Sequence, residues 1–240
     1  MASNVTRRRF LRAAGTGVVA GAAAGTAASA ASAENAQASA AIKIIGIACS
    51  PRKGKTTAAA LRICLDAARA VDPRRIEVEL IELAGMKIDG SLVVASAAGK
   101  AQEDDFAQLV PKLSDPRVAG ILVGSPVYFC NMSSLCKAFL DRCFTFRAKK
   151  FALANKVAGV VAVGGVRNGG QELTIQSIQA ALLCQEMIVV GDGRPTAHTG
   201  ATLLNDGNDD VSKDEFGIQT AKNLGRRVAE VALGRIASSR

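Results

Sequence analysis

Hydrophobic and polar positions change period several times along the chain. Ile42–Ala48 (IKIIGIA) is a short, almost unbroken apolar run, the mark of a strand buried on both faces. Residues 57–70 then place Leu61, Cys64, Leu65 and Ala68 at helical spacing, and Asp72-Pro73 ends that pattern. Residues 76–81 (IEVELI) alternate apolar side chains with glutamates, and 104–113 return to a helical period. A second apolar run over 118–124 (VAGILVG) precedes a helix over 133–146. A third over 157–163 (VAGVVAV) precedes a helix over 171–184, and a short strand follows over 187–190. The chain closes with an amphipathic helix whose Phe216, Leu224, Val228 and Val231 share one side, with Ser212 and Glu215 spaced as a capping box at its start.

Five strand–helix alternations predict an α/β protein: a doubly wound, five-stranded parallel sheet with helices on both faces. The strand over 76–81 carries Glu77 and Glu79, which suits an edge, and the apolar runs suit the centre. This matches the flavodoxin-like strand order 2-1-3-4-5. Two long connections, 84–103 and 191–211, are of the length that usually carries function.

Residues 1–33 stand apart. Thr6–Arg12 (TRRRFLR) resembles the twin-arginine translocation motif, a weakly apolar run follows over 13–30, and Ala31-Ser32-Ala33 has the form of a cleavage site. The expected organisation is therefore a twin-arginine signal peptide over 1–33, a linker over 34–41, the α/β domain over 42–234 and a tail over 235–240. It predicts recognition by the twin-arginine export machinery, a periplasmic or extracellular destination and no stable membrane anchor, since glycine, serine and threonine make the run too polar to hold in hydrocarbon. The formal net charge is +9; four of those charges, Arg7, Arg8, Arg9 and Arg12, lie in the leader, which leaves +5 for the rest. Beyond the first loop the basic residues adjoin only in pairs, and Tyr128 and a few phenylalanines are the aromatics, so a nucleic-acid partner is not expected. Six cysteines form no C-x-x-C and have no histidine nearby, which argues against zinc and for most of them being small buried apolar residues, with Cys49 and Cys130 set apart by their place in the loops.

In a doubly wound sheet the chemistry lies beyond the carboxyl ends of the strands. After the first strand comes Cys49-Ser50-Pro51-Arg52-Lys53-Gly54-Lys55-Thr56-Thr57, where hydroxyls, cations and a helix N-terminus suit a phosphate. One glycine in place of Cys49 would make this the phosphate loop of nucleotide triphosphatases. However, Cys49 lacks glycine's freedom, Pro51 removes a donor, and neither later strand ends in an aspartate for Mg²⁺. A monophosphate that needs no metal fits better than a nucleotide triphosphate.

These residues, followed by GSPVY over 124–128 and GGVRNGGQE over 164–172, resemble the NADPH-dependent FMN reductase family, and within it the iron–sulfur flavoprotein and multimeric-flavodoxin branch. The resemblance implies FMN as cofactor. Ser50, Arg52, Lys55, Thr56 and Thr57 would hold its phosphate. Pro126, Val127, Tyr128, Phe129, Cys130 and Asn131 would line the isoalloxazine, and Gly164, Gly165 and Gly170 would admit it from a third side. It further implies an oxidoreductase with no catalytic side chain of its own, NAD(P)H as possible co-substrate, a small quinone-like electron acceptor, and a homodimer or homotetramer. An exported electron carrier without turnover is the alternative. The chain departs from the pattern in three places. Residues 84–103 contain no cysteine, so no iron–sulfur cluster is expected; one residue is missing between Arg52 and Gly54; and Cys49 replaces a glycine.

Overall fold

A computed structural model describes residues 41–91 and 104–238. The signal peptide expected over 1–33, nearly all of the 34–41 linker and residues 92–103 of the 84–103 connection lie outside the described residues. The elements are β1 (Ile42–Ala48), α1 (Thr56–Val71), β2 (Ile76–Glu82), a 3₁₀ turn (Asp105–Gln108), α2 (Leu109–Ser114), β3 (Val118–Tyr128), β4 (Asn131–Met132), α3 (Ser134–Arg142), α4 (Phe144–Ala148), β5 (Val157–Gly164), α5 (Gln171–Leu183), β6 (Ile188–Val189), β7 (Ala201–Leu204) and α6 (Glu215–Ser238).

The sheet has seven strands rather than five, and its main path runs β2-β1-β3-β5-β6 rather than 2-1-3-4-5. The path visits the segments expected from the apolar runs; two short strands account for the change. β3 overshoots its parallel neighbours and turns back on itself, so that Val127 pairs with Met132 and Tyr128 with Asn131 in an antiparallel hairpin with β4. The outer edge is split: β6 pairs with Val157 and Ala158 at the start of β5, and β7 pairs with Val161–Gly164 at its end. The long connection between β6 and β7 therefore leaves the sheet edge and rejoins it.

Alternation along the strands explains the two layers. Ile45, Ile47, Val123, Val160 and Ala162 face one side, where the 3₁₀ turn and α2 to α5 cover them with Phe106, Leu113, Phe139, Phe146 and Ile178. Ile44, Ala48, Leu122 and Val161 face the other, where α1 and α6 supply Leu61, Cys64, Leu65, Leu224 and Val228. Nearly every inward position is fully buried, as a sheet covered on both faces requires. The α1–α6 crossing is close because Gly225 lies against Cys64: a Cβ there would stand 1.9 Å from the Cys64 carbonyl oxygen. β2 is an edge, and its glutamates are satisfied in a ladder of Lys43–Glu79 (2.5 Å), Lys112–Glu79 (2.7 Å) and Lys43–Glu77 (3.3 Å).

Several local expectations change. The helix over 133–146 breaks at Cys143 into α3 and α4, and the helix over 104–113 begins as a 3₁₀ turn capped by Asp104. The last helix is capped by Asp214, whose Oδ1 accepts from the Gly217 N–H at 3.0 Å, while Ser212 bonds back to Asp210. It runs to Ser238, through the start of the expected tail. Phe216, expected on the same side as Leu224 and Val228, is half-exposed while those two are buried, and stands edge-on to His198 at 5.7 Å.

Candidate functional site

Because β1, β3, β5 and β7 are parallel and in register, with Ala48 beside Gly124, Pro126 beside Val163 and Gly164 beside Leu204, the loops that follow them share one rim. The first loop is anchored from both sides. Cys49 donates its N–H to Gly124 O (2.8 Å), and its carbonyl accepts the Ser133 hydroxyl (2.6 Å). The Gly54 N–H donates to Glu82 Oε2 at 2.6 Å, and the Arg52 N–H to Ser50 Oγ at 3.1 Å. Ser50, Thr56 and Thr57 are buried, whereas Arg52, Lys53 and Lys55 reach solvent. Lys55 is the N-cap of α1; no side chain caps that helix and no acid sits in its first turn. Its amide dipoles and the flanking cations therefore combine into a positive locus fit for a phosphate.

The Cys49 side chain faces away from this loop. It is fully buried in the α3 layer with Cys136 and Cys143, and burial pushes its thiol well above the ordinary range. It fills the core and does not border the phosphate locus.

The second loop is the β3–β4 hairpin. Ser133 ties it to the first loop: its hydroxyl reaches Cys49 O, its N–H donates to Ser125 Oγ (3.0 Å), and its Oγ caps α3 at the Cys136 N–H (3.1 Å). Pro126 and Val127 are half-buried; Tyr128, Phe129, Cys130 and Asn131 are exposed. Phe129 and Cys130 both adopt positive φ, 49° and 59°. A two-residue turn of this hand normally uses Asn-Gly, so each of these side chains holds a strained backbone. Phe129 stands entirely in solvent.

The third loop, after β5, packs on this hairpin. The Cys130 thiol points at Gly169 O (3.9 Å), and Gly170, at φ 100°, lies so close that a Cβ would meet Cys130 Cα at 2.6 Å. The buried Gln171 side chain lies over Gly164 and clasps the loop, accepting from the Gly169 N–H and donating to Val166 O, both at 2.8 Å. Gly165 is exposed, with open space where a Cβ would be. All fourteen residues singled out in the sequence thus lie at the carboxyl rim or in the first turn of the helix that leaves it.

A fourth loop, 205–213, overlaps the long connection over 191–211 and also reaches this site, although Asp209 was not among the expected site residues. It brings Asp209 onto the first loop, with Oδ1 2.6 Å from Arg52 Nη1 and Oδ2 3.1 Å from Lys55 Nζ. Hydrogen bonds from Lys55 and Arg52 hold its carboxyl below the usual range. The acidic run Asp206-Gly207-Asn208-Asp209-Asp210 was the available signal. Arg142 does not reach this rim: it is buried, paired with Asp104 and stacked over the Phe106 ring.

Comparison with known proteins decides the family. The NADPH-dependent FMN reductase family matches residues 42–202. The chain belongs to this family. An iron–sulfur flavoprotein of Methanocaldococcus jannaschii is 42% identical over 193 residues, covering 79% of this chain and 97% of the relative. An NAD(P)H dehydrogenase (quinone) of Paracoccus denitrificans is 32% identical over 181 residues, covering 69% of this chain and 78% of the relative. Among solved structures, a WrbA-like flavodoxin from Agrobacterium tumefaciens shares the fold, with a TM-score of 0.52 at 18% identity over 80% of this chain and 98% of that one. The protein is thus a flavodoxin-like member of an FMN-dependent oxidoreductase family. Among the described residues no group of three or more His, Cys, Asp or Glu side chains is arranged to hold a metal ion.

Proposed function

We propose that the chain is an exported FMN oxidoreductase that passes electrons from NAD(P)H or another donor to a small quinone-like acceptor. The observation that carries this reading is the uncapped, cation-flanked start of α1 beside a strained aromatic hairpin at the same rim, in a chain of this family. The residues fit the cofactor. Arg52 and Lys55 supply charge for a phosphate monoester, with the Ser50, Thr56 and Thr57 hydroxyls and the α1 amides as donors. Pro126, Val127, Tyr128, Phe129, Cys130 and Asn131 offer an apolar and aromatic wall, and Gly164, Gly165 and Gly170 let backbone approach from the third loop. When bound, the flavin supplies hydride acceptance and onward transfer of one or two electrons. The protein's part is to bind, to orient and to keep water from the reacting face, which needs no acid–base pair.

A homodimer or homotetramer is part of the proposal. Phe129, Val166 and Leu173 are large apolar side chains exposed on the hairpin, the third loop and the first turn of α5, and a second copy would cover them. A cluster is not part of it, since residues 84–103 lack cysteine. Purified mature protein is expected to take up FMN, turn yellow and bleach when NADPH is added. A colourless protein that binds no FMN would refute the reading. Uptake without bleaching would leave the electron carrier in its place.

A further inference from the structure

The loop 205–213 carries three aspartates, and they are used differently. Asp206 accepts from the Asn208 N–H at 2.9 Å and faces Lys213 at 3.4 Å. Asp210 accepts from the Ser212 N–H (2.8 Å) and hydroxyl (2.5 Å). Both therefore serve the loop's own folding, and the Asp206 N–H closes it on Asp210 O at 3.2 Å. Asp209 alone sends its two oxygens across to another element, one to Arg52 and one to Lys55. It does so from a backbone at φ 57°, a conformation that aspartate and asparagine tolerate better than most residues. The two cations it engages are those that serve the phosphate in the reading above, on which this inference rests.

We propose that Asp209 is an internal competitor for the phosphate group, a carboxylate that occupies Arg52 and Lys55 until a phosphate monoester displaces it and so sets how tightly that ligand is held. The cations are half-exposed, at 50% and 45%, so both pairs are weak and open to exchange. A phosphate dianion offers more charge and more acceptor oxygens to the same two groups and wins the exchange. The displaced carboxylate stays within a Debye length and continues to repel the ligand. The apparent affinity is therefore lower than the cations and the helix dipole alone would give. A flavin without a phosphate has nothing to exchange and is indifferent to Asp209.

Asp209→Asn tests this, because asparagine keeps the shape and tolerates the same backbone. FMN and riboflavin are titrated by flavin fluorescence into wild-type and variant apoprotein, and melting temperature is followed against added inorganic phosphate. The variant is expected to bind FMN about three- to tenfold more tightly, the scale of two exposed ion pairs. Riboflavin affinity is expected to stay the same, and inorganic phosphate to raise the variant's melting temperature at lower concentration than the wild type's. FMN affinity that is unchanged or weaker in the variant would overturn the proposal, as would an equal gain for riboflavin. Should wild-type protein bind no flavin, the reading of the site fails separately. The phosphate arm still decides the role of Asp209: equal responses of the two proteins overturn it.

Discussion

At the scale of single residues, Ser133 carries more than its size suggests. Its hydroxyl donates to the buried Cys49 carbonyl and accepts from the Cys136 N–H, so one atom both caps α3 and joins the loops after β1 and β3. Ser133→Ala removes a cap and leaves a buried carbonyl without its partner. Such losses cost about 1–2 kcal/mol together. Urea unfolding of the variant is expected to show that decrease, with a weakened FMN affinity because the first loop is no longer fixed to the second. An unchanged midpoint would show that the contact contributes nothing. Motif order made Ser50, Arg52, Tyr128 and Gly170 legible in the sequence because each loop follows an unmistakable apolar run. The bond from Ser133 to Cys49 spans 84 positions and leaves no periodic trace. Asp209 was equally hidden, since nothing local distinguishes it from Asp206 and Asp210.

At the scale of elements, long periodic segments were legible, and of the short ones β4 and β7 were not. β1, β5, α1 and α5 are long enough for their apolar period to fix their type, and each lies within a few positions of its expected bounds. β4 has two residues and β7 has four, too few to display a period, whereas β6, also of two residues, falls inside the strand expected over 187–190. The hairpin was also masked by its turn residues: Phe-Cys stands where Asn-Gly would have announced a reversal. That mismatch is itself informative. Two residues other than glycine with positive φ store about 1–2 kcal/mol each, and strain of this kind is kept where a side chain has a task. Replacing Phe129-Cys130 by Asn-Gly is expected to stabilise the fold by roughly 1–2 kcal/mol in chemical denaturation. The same variant, loaded with FMN, should lose NADPH oxidation, because the exposed ring that the turn presents is gone. A variant both more stable and fully active would mean that the strained turn serves only the fold.

At the scale of the whole molecule, the two covering layers determine how the chain withstands an oxidising compartment, the destination proposed for it. Its six cysteines are all free thiols. Cys49, Cys136 and Cys143 are sealed in the layer of α2 to α5 and Cys64 in the layer of α1 and α6, while Cys130 and Cys184 are exposed. Burial raises the Cys64 thiol far above its ordinary value of 9.0; Cys143 follows for the same first reason, with further help from Cys136 and Asp141. A thiol that is neither ionised nor accessible does not oxidise or exchange. Folding before export would therefore protect the core without any disulfide. Titration of the native protein with a thiol reagent is expected to label Cys130 and Cys184 quickly and the other four only after denaturation. The same burial fixes a pH dependence. The folded state holds these protons more tightly than the unfolded one, so their contribution to stability is complete below about pH 9 and declines as the pH rises beyond it. Denaturation midpoints measured from pH 8 to pH 11 should fall along that limb, and replacing Cys64 by alanine should flatten part of the slope even though the cavity lowers stability at every pH. Rapid reaction of all six thiols in the native protein would show that the layers open readily and that core burial does not protect these thiols.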